Sequence, residues 1–237
     1  MRFPETVTRR NLPHWYMPGA SHFVTYRLHG SLPQSALREL HTRKEALLNR
    51  KPQPGVSPAQ YRELVHKQLF ALYDQWLDRD RNSSLGDARV AATIRSNLQH
   101  HNGSKYHLIA YCVMPNHVHV LFQPIDADAG KLTGEPPVTT ASIGEHSDAQ
   151  SPLARIMHSM KSYTAHEANK ILQRTGVFWQ AESYDHWVRD DDELERIVDY
   201  IRANPVKAGL VERPELFCWC SCHDQFLKDG STDGWLT

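Results

Sequence analysis

The sequence predicts an α+β fold of ferredoxin-like β-α-β-β-α-β type, an antiparallel sheet with helices on one face and a further helix appended at the C-terminal end. Three observations lead there. The runs "KYHLIAYCV" (105–113) and "HVHVLFQ" (117–123) are separated only by "MPN", so they pair as an antiparallel hairpin. Helical periodicity fills the long interval before that hairpin and resumes after it. The aromatic run "VFWQAESYDHWV" (177–188) then returns to strand character before the appended helix.

Element by element, "HFVTYRL" (22–28) is the first strand. After "SLP" a helix runs from about Gln34 to Arg50, with Leu37, Leu40, Leu47 and Leu48 at helical spacing, until "KPQPGVSP" breaks it. A second helix, from about Ala59 to Leu77, is amphipathic through Leu64, Leu69, Leu72 and Trp76. A third runs from about Asp87 to Gln99 and stops at "HHNGS". Residues 124–152 are rich in Gly, Pro, Ser, Thr and Asp and poor in bulky apolar side chains, so they read as a flexible insert. The helix from about Leu153 to Gln173 opens on Leu153, Ile156, Met157 and Met160.

The 237 residues, 40% of them hydrophobic, fit one enlarged domain over 1–237 with a short C-terminal tail from about 214. Apolar runs fall far short of membrane-spanning length, and "MRFPETVTRR" lacks the apolar core of a signal peptide, so the expectation is a soluble, cytoplasmic protein with no membrane partner. Of four cysteines, Cys112 lies in a strand, while Cys218, Cys220 and Cys222 alternate in "CWCSCH" without metal-site or local disulfide spacing. They read as small apolar side chains. Lys plus Arg equals Asp plus Glu at 27 each, so any nucleic-acid footprint must be a local patch.

Two features carry chemistry. In "VMPNHVHVLF" (113–122), His117 and His119 project from one face of a strand, while Val118, Val120 and Phe122 line the other. Two neutral imidazoles on a rigid strand form an edge for a divalent metal and leave positions for a third ligand and a substrate oxygen. Two partly exposed histidines on a solvent face would show the same spacing.

The second feature is the appended helix, "RDDDELERIVDYIRANPVKAG" (189–209). Asp190 is its N-cap with Glu193 three residues on, Leu194, Ile197, Val198 and Ile201 form its apolar stripe, and Pro205 ends it at Asn204. At about 100° per residue, Tyr200 and Asn204 lie about 40° apart, one turn above another, and address one site. An amide oxygen can complete a metal set, and a phenol one turn away can attack what the metal polarises. A boundary tyrosine and a capping asparagine are the plainer alternative.

"MPNHVHVLF" together with "YIRANPVKAGLV" resembles the REP-associated tyrosine transposases of the single-tyrosine HUH superfamily. Further matching stretches are "LPHWYMPGASHFVTYRL", "LARIMHSMKSYTA" and "FWQAESYDHWVRDDDE", in the same order along most of the chain. The resemblance implies a ferredoxin-like sheet and Mg or Mn held by His117, His119 and Asn204. It also implies Tyr200 as the nucleophile that cuts single-stranded DNA through a 5′-phosphotyrosine and a free 3′-hydroxyl. Because that link retains the phosphodiester energy, the same site can rejoin strands. The long insert, "CWCSCH" in place of a Trp-Ser-Ser stretch, and the zero net charge depart from the family pattern.

Arg155, Lys161, Arg202 and Lys207 are candidates for phosphate contact, Trp179 and Trp187 for base stacking, and His186 with Asp185 for a role beside the site or on DNA. Each also reads as an ordinary surface charge, core aromatic or strand-end pair. The function expected is metal-dependent nicking and joining of single-stranded or hairpin DNA of REP type. Whether the chain works as a monomer or a homodimer is open. The rivals are a water-using metal-dependent nuclease and a noncatalytic nucleic-acid-binding module on the same scaffold. Tyr163, with Glu167 one turn on, is a second tyrosine with similar local features.

Overall fold

The computed structural model describes residues 6–9, 13–50, 52, 54–79, 83–125 and 151–229. Two short strands that patterning did not single out, β1 (Thr6–Arg9) and β2 (Pro13–Tyr16), form an antiparallel pair at the start. The main sheet follows: β3 (His22–Arg27), β4 (Tyr106–Val113), β5 (His117–Pro124) and β6 (Tyr184–Trp187), in the antiparallel order β4-β5-β3-β6. With α3 (Ala88–His100) and α4 (Pro152–Ile171) as the crossovers, this is the ferredoxin-like topology expected. The fourth strand is shorter than the aromatic run that announced it. Trp179 contributes only a bridge to Leu28, and the ladder resumes at Tyr184.

Strand alternation separates two interiors. Val24 and Tyr26 of β3 and Val118, Val120 and Phe122 of β5 pack beneath α3 and α4, against Ile94, Leu98, Met157 and Met160. Phe23, Ala110, Cys112 and Leu121 point the opposite way, toward Ile201 of α5 (Asp191–Lys207) and Phe70 of α2 (Pro58–Leu77). The crossover helices therefore share one face, and α5 with part of α2 covers the other.

The excursion between β3 and α3 is a helical hairpin of α1 (Gln34–Leu48) and α2. A capping box starts α2, with the Gln60 amide nitrogen donating to Ser57 Oγ at 3.2 Å and the Ser57 nitrogen donating to Gln60 Oε1 at 2.9 Å. The pair carries its own small cores, one around Leu32, Ala36 and Leu77 and one around Leu47, Val65 and Leu69.

Helix α5 corrects one expectation. Asp190 caps it as expected, accepting from the Glu193 nitrogen at 2.7 Å, but the helix runs through Pro205 to Lys207. Proline removes only the bond its own nitrogen would make to Ile201, a small loss so close to a terminus. The stop is Gly209, left-handed at φ 65°, with Gly209 donating to Val206 and Leu210 to Pro205 in a Schellman closure. Asn204 is thus an interior helical residue, not a cap.

Residues 214–216 form a 3-10 turn, and α6 (Ser221–Asp229) follows. The segment between them lies along the open edge of β4: Cys220 bridges Cys112, and Val113 donates to the Trp219 carbonyl at 2.9 Å. Cys112, Cys220 and Cys222 are buried in the second interior, Cys218 is exposed, and all four are free thiols. Most of the 124–152 insert and the end of the tail lie outside the described residues. Among the described residues no helix is long and apolar enough to cross a membrane.

Candidate active site

The central strands build the site. β5 pairs His119 with Thr25 and His117 with Arg27 of β3, so both imidazoles stand on the face covered by α5 and α2. They are buried, at 1% exposure for His117 and 0% for His119, which excludes a solvent-face pair. The connection "MPN" orients the first of them. The Asn116 amide nitrogen donates to the Leu77 carbonyl at 2.9 Å, which turns Asn116 Oδ1 toward His117 Nδ1 at 2.6 Å. That oxygen only accepts, so His117 carries its proton on Nδ1 and presents a lone pair at Nε2. Thr25 Oγ1 lies 2.7 Å from His119 Nδ1 and can hold the same tautomer there. The two Nε2 atoms face each other at 2.9 Å.

Helix α5 supplies the next residues. Asn204 is fully buried, its Nδ2 lies 3.1 Å from His119 Nε2, and its Oδ1 has no hydrogen-bond partner. Tyr200, one turn earlier, sets its ring edge-on to His119, with centroids 5.4 Å apart. Its hydroxyl is buried without a well-aligned partner, beside Asp74 and Asn204. The helical spacing read from the sequence thus brings both side chains to the histidine pair.

Asp74 was not anticipated. It sits in α2 at 2% exposure, with Oδ1 3.5 Å from His119 Nε2 and Oδ2 accepting from Lys207 Nζ at 2.7 Å. Its sequence signal is faint: a lone carboxylate among Tyr73, Trp76 and Leu77 on a helix otherwise packed by apolar side chains.

These donors fit a divalent cation. Ligand atoms of Asp74, His117 and His119 all lie within 4.8 Å of one another. Two imidazole lone pairs and a carboxylate suit a metal that accepts mixed nitrogen and oxygen ligands. Asp74 Oδ1, Asn204 Oδ1 and the Tyr200 hydroxyl are buried polar atoms lacking hydrogen-bond partners at the same place. Rotating the Asn204 amide by half a turn would bring its oxygen toward the histidines.

Electrostatics leave the two imidazoles neutral, the form in which they can act as ligands. Burial pushes the His119 pKa down to about 4, and burial followed by repulsion from His119 drives that of His117 well below the ordinary imidazole value. Both rings are neutral, so His119 and Asp74 are not an ion pair. Burial, and after it the Asp74 charge, raises the Tyr200 phenol far above the usual tyrosine range. Burial works to lower the Lys207 pKa, but its bonds to Asp74 and Asp78 raise it on balance.

The remaining candidates are scattered. Trp179 is buried in the core beneath α4, where its indole nitrogen donates to Thr164 Oγ1 at 2.9 Å, so it is not an open stacking platform. His186 Nε2 lies 3.1 Å from Glu193 Oε1 and links β6 to the start of α5. Burial works to raise the Glu193 pKa, yet the contact with His186 holds it down at about 2. Lys161 Nζ donates to the Gln180 and Ala181 carbonyls at 2.6 and 2.9 Å. Arg202 pairs with Asp199 at 3.6 Å, Arg189 stands over the half-buried Trp187 ring, and Arg155 is exposed on α4. Only Lys207 of this group reaches the centre, with Nζ 5.7 Å from the Tyr200 ring centroid. Tyr163 and Glu167 belong to α4, across the sheet from the histidines, and Tyr163 is 53% exposed.

No protein-family model matches the chain. Among curated proteins, one from Haemophilus influenzae named "Putative REP-associated tyrosine transposase" is 26% identical over 130 residues, 55% of this chain and 66% of the relative. An uncharacterised protein of the same organism is 26% identical over 107 residues, 45% of this chain and 57% of the relative. The chain thus matches just under two thirds of the first relative's length and less of the second's. Among solved structures, a REP-associated tyrosine transposase bound to a REP hairpin superposes with a TM-score of 0.50 and 14% identity. That superposition covers 91% of this chain and 84% of the other, and the likeness extends to the fold.

Proposed function

We propose that this chain, similar in sequence to a protein named as a REP-associated tyrosine transposase and similar in fold to a solved one, nicks and rejoins single-stranded DNA with Tyr200 as nucleophile. The observation that carries this is the meeting of a tyrosine hydroxyl, two imidazole lone pairs and two side-chain oxygens in one buried centre, on the sheet face opposite α4.

His117 and His119 would hold a Mg or Mn ion, with Asp74 and Asn204 as the oxygen donors nearby. When bound, such an ion stabilises charge building on a nonbridging phosphate oxygen and steadies the reacting groups. The remaining work falls to the chain. A free tyrosine, with a pKa near 10, is about one part in a thousand phenolate at neutral pH, a deficit of roughly 4 kcal/mol, and burial deepens it here. Asn116 sets the His117 tautomer and Thr25 can accept from His119 Nδ1, an arrangement that leaves both Nε2 lone pairs free of a proton. Lys207 can anchor a phosphate beside Tyr200. Tyr200 Oη forms a bond to phosphorus as the bond from phosphorus to O3′ breaks. The phenol loses its proton and O3′ gains one, leaving a 5′-phosphotyrosine and a 3′-hydroxyl. Attack by a 3′-hydroxyl on that link reverses the step and joins strands.

The substrate would be single-stranded or hairpin DNA of the repeat type, and the working location the cytoplasm, on DNA. An oligonucleotide labelled at its 3′ end, incubated with Mn and protein, should give a labelled covalent adduct with wild type and Tyr163→Phe but none with Tyr200→Phe. An adduct persisting in Tyr200→Phe would remove the assignment, and cleavage without adduct would point to water as the nucleophile.

A further inference from the structure

The inner part of the centre is closed off. His117, His119, Asn204 and Asp74 are each at most 2% exposed. The Tyr200 ring is half-buried at the rim of a cleft, but its hydroxyl is buried, so a phosphodiester cannot reach that oxygen without displacing a wall, and one wall differs from the rest. Sheet and α5 are joined by the second hydrophobic interior, whereas α2 meets that interior through two rings, Phe70 and His66, the latter stacked on Tyr184 with centroids 4.6 Å apart. Phe70 stacks on Tyr184, with centroids 4.1 Å apart, and stands edge-on to Tyr200 at 6.0 Å.

The other ties between α2 and the rest are polar or local. Lys67 pairs with Glu193 at 3.4 Å, Tyr73 lies under Arg27, and Asn116 holds the Leu77 carbonyl at the end of the helix. Open clefts flank the hairpin on both sides. One of about 580 Å³ lies toward β3 and β6, and one of about 1140 Å³ is lined by Gln68, Phe70, Asp74, Tyr200 and Lys207. Because α1 and α2 bury their own cores against each other, they can move as a unit without unfolding. Gly30, left-handed at φ 76° with open space around it, precedes the hairpin and suits a pivot.

Two carboxylates at the C-terminal end of α2 occupy the cation beside Tyr200. Asp74 and Asp78, one turn apart, both accept from Lys207 Nζ, at 2.7 and 3.1 Å. Lys207 Nζ lies 5.7 Å from the Tyr200 ring centroid, and a carboxylate pair presents it with the negative oxygens a phosphate would bring. A polyanion approaching the closed centre meets two carboxylates already in place.

We propose that the α1–α2 hairpin is a lid over this centre, latched by Phe70 and by the Asp74 and Asp78 carboxylates standing at Lys207 in place of a DNA phosphate, and that single-stranded DNA enters by displacing it. This rests on the DNA-cleaving role proposed above. In the closed state Asp74 and Asn204 both stand by the histidine pair; in the open state Asn204 on α5 stays as the protein's oxygen donor and a phosphate oxygen takes the position of Asp74.

Hydrogen–deuterium exchange of the full chain, with and without a hairpin oligonucleotide bearing a single-stranded flank, tests the lid directly. Amides of residues 58–77 should exchange faster with DNA bound, because a helix that has lost its docking against the sheet frays open more often, whereas a helix merely covered by DNA would slow. Phe70→Ala/Asp78→Asn, or Asp78→Asn alone if the double variant melts early, weakens the latch. It should bind the oligonucleotide and form adduct at sub-saturating DNA about tenfold more effectively, because apparent affinity scales with the open fraction. Adduct formation with unchanged or slower exchange over 58–77, or weaker binding by the loosened variants, overturns the lid and leaves the chemistry standing. Faster exchange on DNA binding without any adduct keeps the lid and removes the chemistry. Absence of both binding and adduct in wild type and variants removes both.

Discussion

The two faces of the sheet are built from the same strands and do opposite work. Beneath α3 and α4, alternate residues of β3 and β5 are Val24, Tyr26, Val118, Val120 and Phe122, packed in an almost wholly apolar interior. On the other face the same strands present Phe23, Thr25, His117, His119 and Leu121, and polar atoms are buried there without partners. A buried polar atom lacking a partner costs on the order of 1–3 kcal/mol. Apolar packing stabilises both faces, but the second also retains a cluster of unpartnered polar atoms, an unfavourable arrangement that a cation and a phosphate would relieve.

Substitutions on each face should separate activity from stability. The largest effect expected is at the second face. His117→Ala or His119→Ala should reduce adduct formation by roughly a thousandfold or more, as removal of a central catalytic component does elsewhere. Melting temperature should change little, and a gel with Mn would show whether adduct survives. Excess EDTA should do the same to wild type. Phe122→Ala reverses the pattern. A cavity in the apolar core should cost about 3–5 kcal/mol in denaturant unfolding, while adduct formation per folded molecule stays near wild type. Loss of chemistry with unchanged stability in Phe122→Ala would break the division between faces.

Acid acts selectively on the second face. In metal-free protein the folded pKa of His119 is about 4, below the unfolded value near 6.5. The unfolded state therefore takes up a proton first. Stability is complete above about pH 6.5 and falls as the pH drops toward 4, by about 3 kcal/mol from this residue, with His117 adding in the same direction. Urea titrations from pH 7.5 to 4 check the slope, and His119→Phe should flatten it. The smallest effect belongs to the exposed surface: Arg155→Ala should alter stability by less than about 0.5 kcal/mol in urea unfolding and weaken DNA binding less than about threefold, an effect that salt titration should erase.

Much of the site was legible because its parts are short-range. His117 and His119 share a face by strand period, and Tyr200 and Asn204 share one by helical period, whatever else the chain does. The stop signal of α5 was also in the sequence, in "KAG". Gly209 outweighed Pro205 because a left-handed glycine satisfies several terminal carbonyls, whereas a proline near the end removes one bond. Trp179 carried no local sign of direction; burial against Thr164 and Tyr26 set it.

By itself the sequence determined the strand and helix order, the ferredoxin-like pairing, the separation of Val118, Val120 and Phe122 from the two histidines, and the pairing of Tyr200 with Asn204. Periodicity and turn chemistry act over a few residues, so those features need no knowledge of distant neighbours. Tertiary structure alone decided that Asp74 joins the centre, that Lys207 is held by two carboxylates, and that α2 closes the site. Asp74 lies 43 positions before His117, and its one local sign, a carboxylate among Tyr73, Trp76 and Leu77, does not say which site it would join. Its position follows from how a self-contained hairpin docks through Phe70, His66 and a few ion pairs, a balance of long-range contacts that no window of neighbouring residues encodes.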